Sequence, residues 1–198
     1  NNFLHPDMEF RMTLPQGWQY RNSRQAVVAV SPDEDAVQLL TLAEEADPRT
    51  AARAFLGQDG IQAGQIRTGR IHGLPAAWGV FEAQTEQFEL AGRVVYVRHR
   101  EATFELLGYT LADRWRKYSG TFDRSQGSFS RLTDPRALSV QPARLETVRL
   151  RQGMSLQEFG TRYPSSVPLE QVGLINHLRP DGVFDPDSLA KRVIGGSN

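Results

Sequence analysis

The sequence contains no cysteine. This absence excludes disulfide bonds, zinc sites built from thiolates and thiol nucleophiles. The formal net charge is zero, with 23 basic and 23 acidic residues, and no run of basic residues occurs. Nucleic acids and anionic membrane surfaces are bound through clustered cations, so neither is an expected partner. No apolar run approaches the roughly 20 residues that cross a bilayer, so no membrane span is predicted.

The sequence also lacks the motif of the large zinc protease class. That motif, HExxH, needs two histidines four residues apart on a helix, with a glutamate beside the first. The chain has four histidines, and no two of them are that close: His5, His72, His99 and His177. We therefore expect each histidine to be a loop or surface residue, and we predict no metal ligand in this chain.

Motifs of other enzyme classes are absent too. There is no Gly-x-Ser-x-Gly elbow and no phosphate-binding or dinucleotide-binding glycine pattern. His99 and Glu101 could be combined with Ser119 or Ser125 as a hydrolase triad, but a triad is recognised by geometry, and any chain of this length offers such sets. The sequence predicts no catalytic residue and no cofactor. One hypothesis for the function is nevertheless an independent enzyme whose chemistry these motifs do not reveal, and we favour it less than the two hypotheses given at the end of this section.

Hydrophobic residues make up 39% of the 198 residues, which is enough to form a core. The first strand predicted is Met8–Leu14, where apolar and polar residues alternate. Strands are also predicted at 26–30 and 36–42. Asp47 and Pro48 are typical of a helix start, because a carboxylate caps the helix and proline suits its first position.

Two hairpins and a second helix follow. Residues 65–71 and 76–85 surround a Gly73-Leu74-Pro75 turn, and residues 88–99 and 102–110 surround a turn at Arg100-Glu101. Residues 111–122 have helical periodicity. This order of elements implies few parallel crossovers, so the fold class predicted is α+β, with a mainly antiparallel sheet and flanking helices.

The apolar periodicity fades after about residue 134, which predicts a domain boundary. We assign residues 1–134 to the first domain, 135–146 to a linker containing Gln141-Pro142, and 147–198 to a small module. The module is predicted to be β-α-α-β. It has a strand from Val148, a helix capped by Ser155, a helix opened by Pro168 and a strand at 189–194.

The module resembles LysM, a small glycan-binding fold. The matching residues are Val148, Gly153-Met154-Ser155-Leu156, Phe159, Arg162-Tyr163, Val167, Leu169, Ile175-Asn176 and Leu178. Met154 stands where the family usually has aspartate, and Asp187-Ser188 stands where Pro-Gly is usual. The resemblance implies a sugar groove at Gly153, Met154, Ser155, His177 and Leu178. Asn176 could border that groove, but we favour a structural role for it as a helix C-cap.

The first domain is similar to PsbP-like α+β domains. The segment that carries this resemblance is Phe10–Trp18, near the start of the chain. The whole chain resembles the region after the protease domain in certain bacterial metallopeptidases of the HExxH type. The segments that carry this resemblance are Phe3–Pro6, Pro15–Trp18, Asn22, Ala26–Ala29, His72–Ala76 and Gly127–Leu132, followed by the LysM-like module.

The resemblance implies a periplasmic or otherwise extracytoplasmic, non-catalytic accessory region. Its partner would be an upstream protease domain of the same polypeptide or another protein, and its role would be substrate docking, placement or regulation. The chain starts at Asn1 rather than methionine, so we expect it to be a fragment of a larger protein. The alternative is a cell-wall module that binds peptidoglycan through the LysM-like tail.

Overall fold

The computed structural model describes residues 2–23, 25–140 and 143–196. The chain divides into two compact units, Asn1–Thr133 and Asp134–Asn198. Among the described residues, no helix is long and apolar enough to cross a membrane.

The first unit contains eleven strands and two helices in its described part. In chain order they are β1 (Asn2–His5), β2 (Phe10–Thr13), β3 (Gln19–Asn22), β4 (Val27–Val30), β5 (Ala36–Leu42), α1 (Pro48–Leu56), β6 (Ile61–Ala63), β7 (Arg67–Ile71), β8 (Leu74–Gln84), β9 (Glu89–His99), β10 (Ala102–Leu111), α2 (Trp115–Gly127) and β11 (Ser130–Arg131).

An eight-stranded antiparallel sheet dominates this unit. Its order is β3-β4-β5-β10-β9-β8-β6, with β7 also paired to β8. A second, three-stranded sheet has the order β1-β2-β11. The α+β class with a mainly antiparallel sheet and flanking helices is therefore confirmed.

Both predicted hairpins are present, and their turns use backbone conformations that tighten a reversal. His72 and Gly73 both have positive φ, 46° and 81°, between β7 and β8. Arg100 has φ 54° between β9 and β10. The helix predicted at Asp47-Pro48 is also confirmed, since the Asp47 carboxylate accepts a hydrogen bond from the Thr50 amide at 2.8 Å.

The two faces of the large sheet bury different partners. On one face, Phe10 and Phe129, from the small sheet and the turn before β11, pack on Phe104 of the large sheet. Farther along the same face, Phe122 of α2 lies over Gly108, where a Cβ atom would overlap its ring. On the other face, α1 buries its alanines against β8 and β9. The helix predicted at 111–122 starts as a 3-10 turn at 112–114 and extends to Gly127.

The second unit is a small β-α-α-β region. Its elements are α3 (Pro135–Leu138), β12 (Arg144–Arg149), β13 (Met154–Ser155), α4 (Leu156–Arg162), α5 (Leu169–Ile175), β14 (Val183–Phe184) and β15 (Leu189–Ile194). β12 pairs with β15 and β13 pairs with β14, both antiparallel. The unit has its own core, in which Leu150, Phe159 and Val172 are almost fully buried.

The segment predicted as a linker, 135–146, contains regular structure. The one-turn helix α3 begins after Asp134, whose side chain accepts a hydrogen bond from the Arg136 amide at 2.9 Å. β12 already begins at Arg144. The Gln141-Pro142 pair, on which part of the linker prediction rests, lies outside the described residues.

Candidate functional site

The candidate site is built where two loops of the second unit meet. Ser155 pairs with Val183, and Met154 pairs with Phe184. The Leu156 amide then donates to the Gly182 carbonyl at 3.0 Å. The loop that precedes α4 and the loop that follows α5 are therefore joined by backbone hydrogen bonds at one end of the β-α-α-β region.

Three of the five predicted glycan-binding residues lie in the first loop, and none offers a free side chain. Met154 is buried in the core. Gly153 has no side chain, and a Cβ atom there would lie 3.0 Å from the Phe184 carbonyl oxygen. The Ser155 hydroxyl caps α4, since it accepts from the Glu158 amide at 3.2 Å. This loop can recognise a ligand mainly through its backbone.

Ser155 and Glu158 form a reciprocal capping box. The Glu158 carboxylate accepts from the Ser155 amide at 2.7 Å and from its hydroxyl at 2.9 Å. These hydrogen bonds, the amide first, hold the pKa of Glu158 below its usual range. The predicted cap at Ser155 is confirmed, and its geometry fixes the loop where β13 becomes α4.

The other two predicted residues lie in the second loop. His177 is exposed and has φ 58°, the left-handed conformation that reverses the chain after α5. Leu178 is half-buried against the core, and its amide donates to the Gly173 carbonyl at 2.9 Å. Of the five predicted residues, His177 is the one whose side chain is exposed and uncommitted to the core or to a cap.

The structure adds two residues that the sequence did not indicate, Gly182 and Val183. Val183 is 61% exposed and lies beside Ser155 in the β13-β14 pair. A Cβ atom at Gly182 would lie 2.9 Å from the Arg179 carbonyl oxygen and 3.0 Å from the Leu178 Cβ atom, so a larger residue would displace the loop. The sequence Pro180-Asp181-Gly182 is typical of a turn. The two-residue strand pair that follows has no periodicity that could be recognised.

Asn176 has the structural role that we favoured. Its amide nitrogen donates to the carbonyls of Val172 and Lys191, and its side-chain oxygen accepts from the Lys191 amide. Its φ is −104°, so the left-handed position after the helix belongs to His177 and not to Asn176. Asn176 thus connects α5 to β15.

The expectation for His99 is wrong, because it is neither a loop nor a surface residue. It ends β9 with 5% of its surface exposed, and its ring lies among those of Phe104 and Phe129. Its Nε2 atom is hydrogen-bonded to the Glu9 carbonyl at 3.0 Å. The alternation of β9 places this residue on the core face, and the backbone carbonyl satisfies its polar atom.

Two of the residues that could be drawn as a triad, His99 and Ser125, are hydrogen-bonded to other groups. The Ser125 hydroxyl donates to the Thr13 carbonyl and accepts from Gln38, both at 2.7 Å. The Glu101 side chain is fully exposed beside Arg98. Among residues 2–23, 25–140 and 143–196, no group of three His, Asp or Glu residues could hold a metal ion.

A charged cluster in the first unit joins the turn between β4 and β5 to α2. The Asp35 carboxylate accepts hydrogen bonds from the hydroxyls of Tyr118 and Ser31, and Lys117 contacts both Asp33 and Asp35. The Tyr118 hydrogen bond is the largest cause that lowers the pKa of Asp35. The hydrogen bond to Asp33 is the largest cause that raises the pKa of Lys117. This cluster holds the start of α2 on the sheet.

The fold places about two thirds of the chain in the PsbP-like α+β class. The solution structure of cyanobacterial PsbP (CyanoP) from Synechocystis sp. PCC 6803 is similar, with a TM-score of 0.50 and 14% identity; the match covers 66% of this chain and 91% of that chain. At this identity the similarity concerns the fold alone, and it confirms the PsbP-like architecture.

Weaker similarities extend to two other proteins. LpqN, involved in cell envelope biogenesis of Mycobacterium tuberculosis, has a TM-score of 0.46 and 14% identity, over 66% of this chain and 88% of that chain. The Ran-binding protein Mog1p of Saccharomyces cerevisiae has a TM-score of 0.47 and 11% identity, over 67% and 96%. The sequence matches no protein-family model and no curated protein.

Proposed function

We propose that this chain is a non-catalytic accessory region of a periplasmic or otherwise extracytoplasmic zinc metallopeptidase, where it serves substrate docking, placement or regulation. The observation that carries the proposal is the order of two folds in one chain: a PsbP-like α+β unit followed by a β-α-α-β unit with its own core. That order is the basis of the resemblance to the region after the protease domain of HExxH enzymes. The protease domain or another protein would be its partner.

Two experiments test the proposal: a protease assay of the purified chain and sequencing of the gene upstream of it. The purified chain, supplied with Zn²⁺, is expected to leave casein intact. The DNA upstream of the codon for Asn1 is expected to encode an HExxH motif within the same polypeptide. Casein hydrolysis that a chelator abolishes, or a complete gene without that motif, would overturn the proposal.

The joined loops of the second unit favour a second candidate function, which is peptidoglycan binding through the LysM-like tail. The resemblance implies a sugar groove between the loop before α4 and the loop after α5. The Leu156–Gly182 hydrogen bond and the Ser155–Val183 pair join those two loops. Backbone groups of residues 153–155, the His177 side chain and the exposed Val183 would then contact N-acetyl sugars.

A sedimentation assay with purified peptidoglycan tests this second candidate. Val183→Asp is expected to reduce the amount of chain that sediments. It replaces an apolar side chain that would contact the sugar by a charged one, beside Ser155. Leu145→Asp is the matched control, since Leu145 is 64% exposed on β12. Two results would reject glycan binding and leave the tail a structural role. One is equal sedimentation of the natural chain, Val183→Asp and Leu145→Asp, and the other is no binding of chito-oligosaccharide at millimolar concentration.

A further inference from the structure

The strand at one end of the large sheet, β3, has one unpaired edge. β3 pairs with β4, and within the described residues it has no second strand neighbour. All four of its residues are exposed. In an antiparallel pair, every second residue directs its N–H and C=O groups away from the neighbouring strand. β3 therefore presents backbone donors and acceptors that a further strand can use.

An apolar cavity of about 250 Å³ lies on one side of this edge. Val27, Leu40 and Phe104 line it, and these residues lie on the same face of the sheet as Phe10. Asn22 of β3 and the 55% exposed Leu42 also line it. No Asp, Glu, Lys or Arg among the described residues lines this cavity, and its polar lining consists of His5, Asn22, Ser23, Gln25 and Thr41. An aliphatic side chain suits the part of it that Val27, Leu40 and Phe104 form.

A more polar cavity of about 600 Å³ lies on the opposite face of the same edge. Arg21, Val28 and Val30 line it. Val28 and Val30 alternate with Val27 along β4, and adjacent residues of a strand point to opposite faces. A strand added beside β3 would therefore direct successive side chains alternately toward the two cavities.

The charge at this edge selects the side chain on the polar face. Residues 10–32 contain arginine but no aspartate or glutamate. Arg21 is exposed and has no ion-pair partner among the described residues. Glu34 lines the same cavity near the other end of β3, where Gln19 pairs with Val30. A carboxylate is thus favoured at the Arg21 end, which is also the end nearest the apolar cavity.

We propose that β3 binds an extended segment of a protein partner by strand addition. An aliphatic side chain of that segment enters the apolar cavity, and the acidic residue next to it pairs with Arg21. Backbone hydrogen bonds along β3 supply affinity, and the two cavities supply specificity. This inference deepens the docking role proposed above and rests on it, because it gives docking a location and a peptide chemistry.

The test uses the whole chain, labelled with ¹⁵N, and a blocked heptapeptide, acetyl-Ser-Thr-Leu-Asp-Thr-Lys-Ser-amide. Titration is expected to shift the amide resonances of Gln19–Asn22 and of the cavity residues Val27, Leu40 and Leu42. Replacement of the peptide leucine by serine is expected to abolish these shifts, because the apolar cavity then stays empty.

Reversing the charge of Arg21 tests whether the peptide binds at this site or is held by non-specific electrostatic attraction to the chain. Arg21→Glu is expected to weaken binding about fivefold, the range for losing an exposed ion pair and adding a repulsion. A peptide with lysine in place of its aspartate should recover that affinity on the Arg21→Glu chain. The matched control is Arg67→Glu on β7, an exposed strand arginine that should leave binding unchanged.

Three outcomes would overturn the inference: shifts confined to residues away from β3, an equal effect of Arg67→Glu, or no shifts at millimolar peptide. Failure of the proposed function is distinguishable from failure of this site. Peptide binding at β3 by a chain whose complete gene lacks HExxH would retain the docking site and reject the metallopeptidase assignment.

Discussion

The side chain of Asn176 and the backbone of Lys191 form a two-way hydrogen-bonded pair. The Asn176 amide nitrogen donates to the Lys191 carbonyl at 2.7 Å, and its oxygen accepts from the Lys191 amide at 2.7 Å. The same nitrogen donates to the Val172 carbonyl at 2.8 Å. One asparagine therefore satisfies backbone groups of both α5 and β15, which a residue without an amide side chain cannot do.

Asn176→Ala is expected to lower the free energy of unfolding of the second unit by about 2–3 kcal/mol, because three hydrogen bonds of about 1 kcal/mol each are lost. Chemical denaturation followed by NMR signals of this unit would measure the change, and hydrogen exchange of the Lys191 amide should accelerate. Gln171→Ala, at an exposed position of the same helix, is the control and should change stability little. Unchanged exchange at Lys191 in Asn176→Ala would contradict this role.

A matched pair of glycine substitutions tests the contact between α2 and the sheet. Gly108→Ala places a methyl group within the Phe122 ring, and we expect a loss of about 1–3 kcal/mol from overpacking. Gly127→Ala, at the end of α2, meets no atom within 4 Å and should be neutral or stabilise by up to about 1 kcal/mol. Thermal unfolding of the two variants would measure the difference, and equal stabilities would mean that Phe122 can move away from Gly108.

The Asp35 cluster predicts a stability that falls in acid. The Tyr118 hydroxyl, then Ser31 and Lys117, hold the pKa of Asp35 below its ordinary 3.8, against an opposing effect of partial burial. The folded state therefore binds this proton less readily than the unfolded state. The stabilisation is present above about pH 4 and is lost as the pH falls through the folded pKa.

Asp35→Asn is accordingly expected to be less stable than the natural chain at neutral pH, and the difference should shrink as the pH is lowered. Urea midpoints measured between about pH 7 and pH 2.5 would show this. Asp59→Asn, at an exposed loop position, controls for the removal of a surface carboxylate. A difference between Asp35→Asn and the natural chain that stays constant over this range would contradict the role of the cluster.

The stability of Ser155 variants tests whether this residue has the structural role that the capping box indicates. Ser155→Ala is expected to destabilise the second unit by about 1 kcal/mol, the usual effect of losing an N-cap acceptor. Ser155→Thr keeps a hydroxyl that can accept from the Glu158 amide and donate to the Glu158 carboxylate, and it should retain more of that stability. Denaturation midpoints that fall in the order natural chain, Ser155→Thr, Ser155→Ala would support the cap, whereas equal midpoints for the two variants would contradict it.

Elements with strong local signals were predictable. The hairpins at β7-β8 and β9-β10 follow from alternation and from turn residues, and α1 follows from its Asp47-Pro48 start. α3 has the same Asp-Pro signal at Asp134-Pro135, but no apolar stripe follows it, and the segment 135–146 is therefore predicted as a linker. A single helical turn is too short to have such a stripe.

The candidate site was predictable in part for the same reason. Ser155 could be recognised as a helix cap from its own sequence neighbourhood. The part played by Gly182 and Val183 could not, because it depends on pairing with residues almost thirty positions earlier in the chain. β3 was also missed, since its sequence Gln-Tyr-Arg-Asn lacks apolar alternation, and its pairing with β4 alone defines it. The exposed edge of β3 is thus visible only in three dimensions.

The pairing of β2 with β11 has a consequence for how the first unit folds during synthesis. Arg11 lies opposite Ser130 in this pair, and the Arg11 Nε atom donates to the Ser130 hydroxyl at 3.2 Å. A contact across 119 residues forms slowly, because closing so long a loop carries a large entropy cost before the contact can stabilise anything. The β1-β2 pair and the central hairpins can form as they leave the ribosome, but the β2-β11 pair must wait until Ser130 has emerged. A ribosome that stops within α2 would leave Phe10 and Met12 exposed, so we expect such truncated chains to be bound by chaperones or to aggregate.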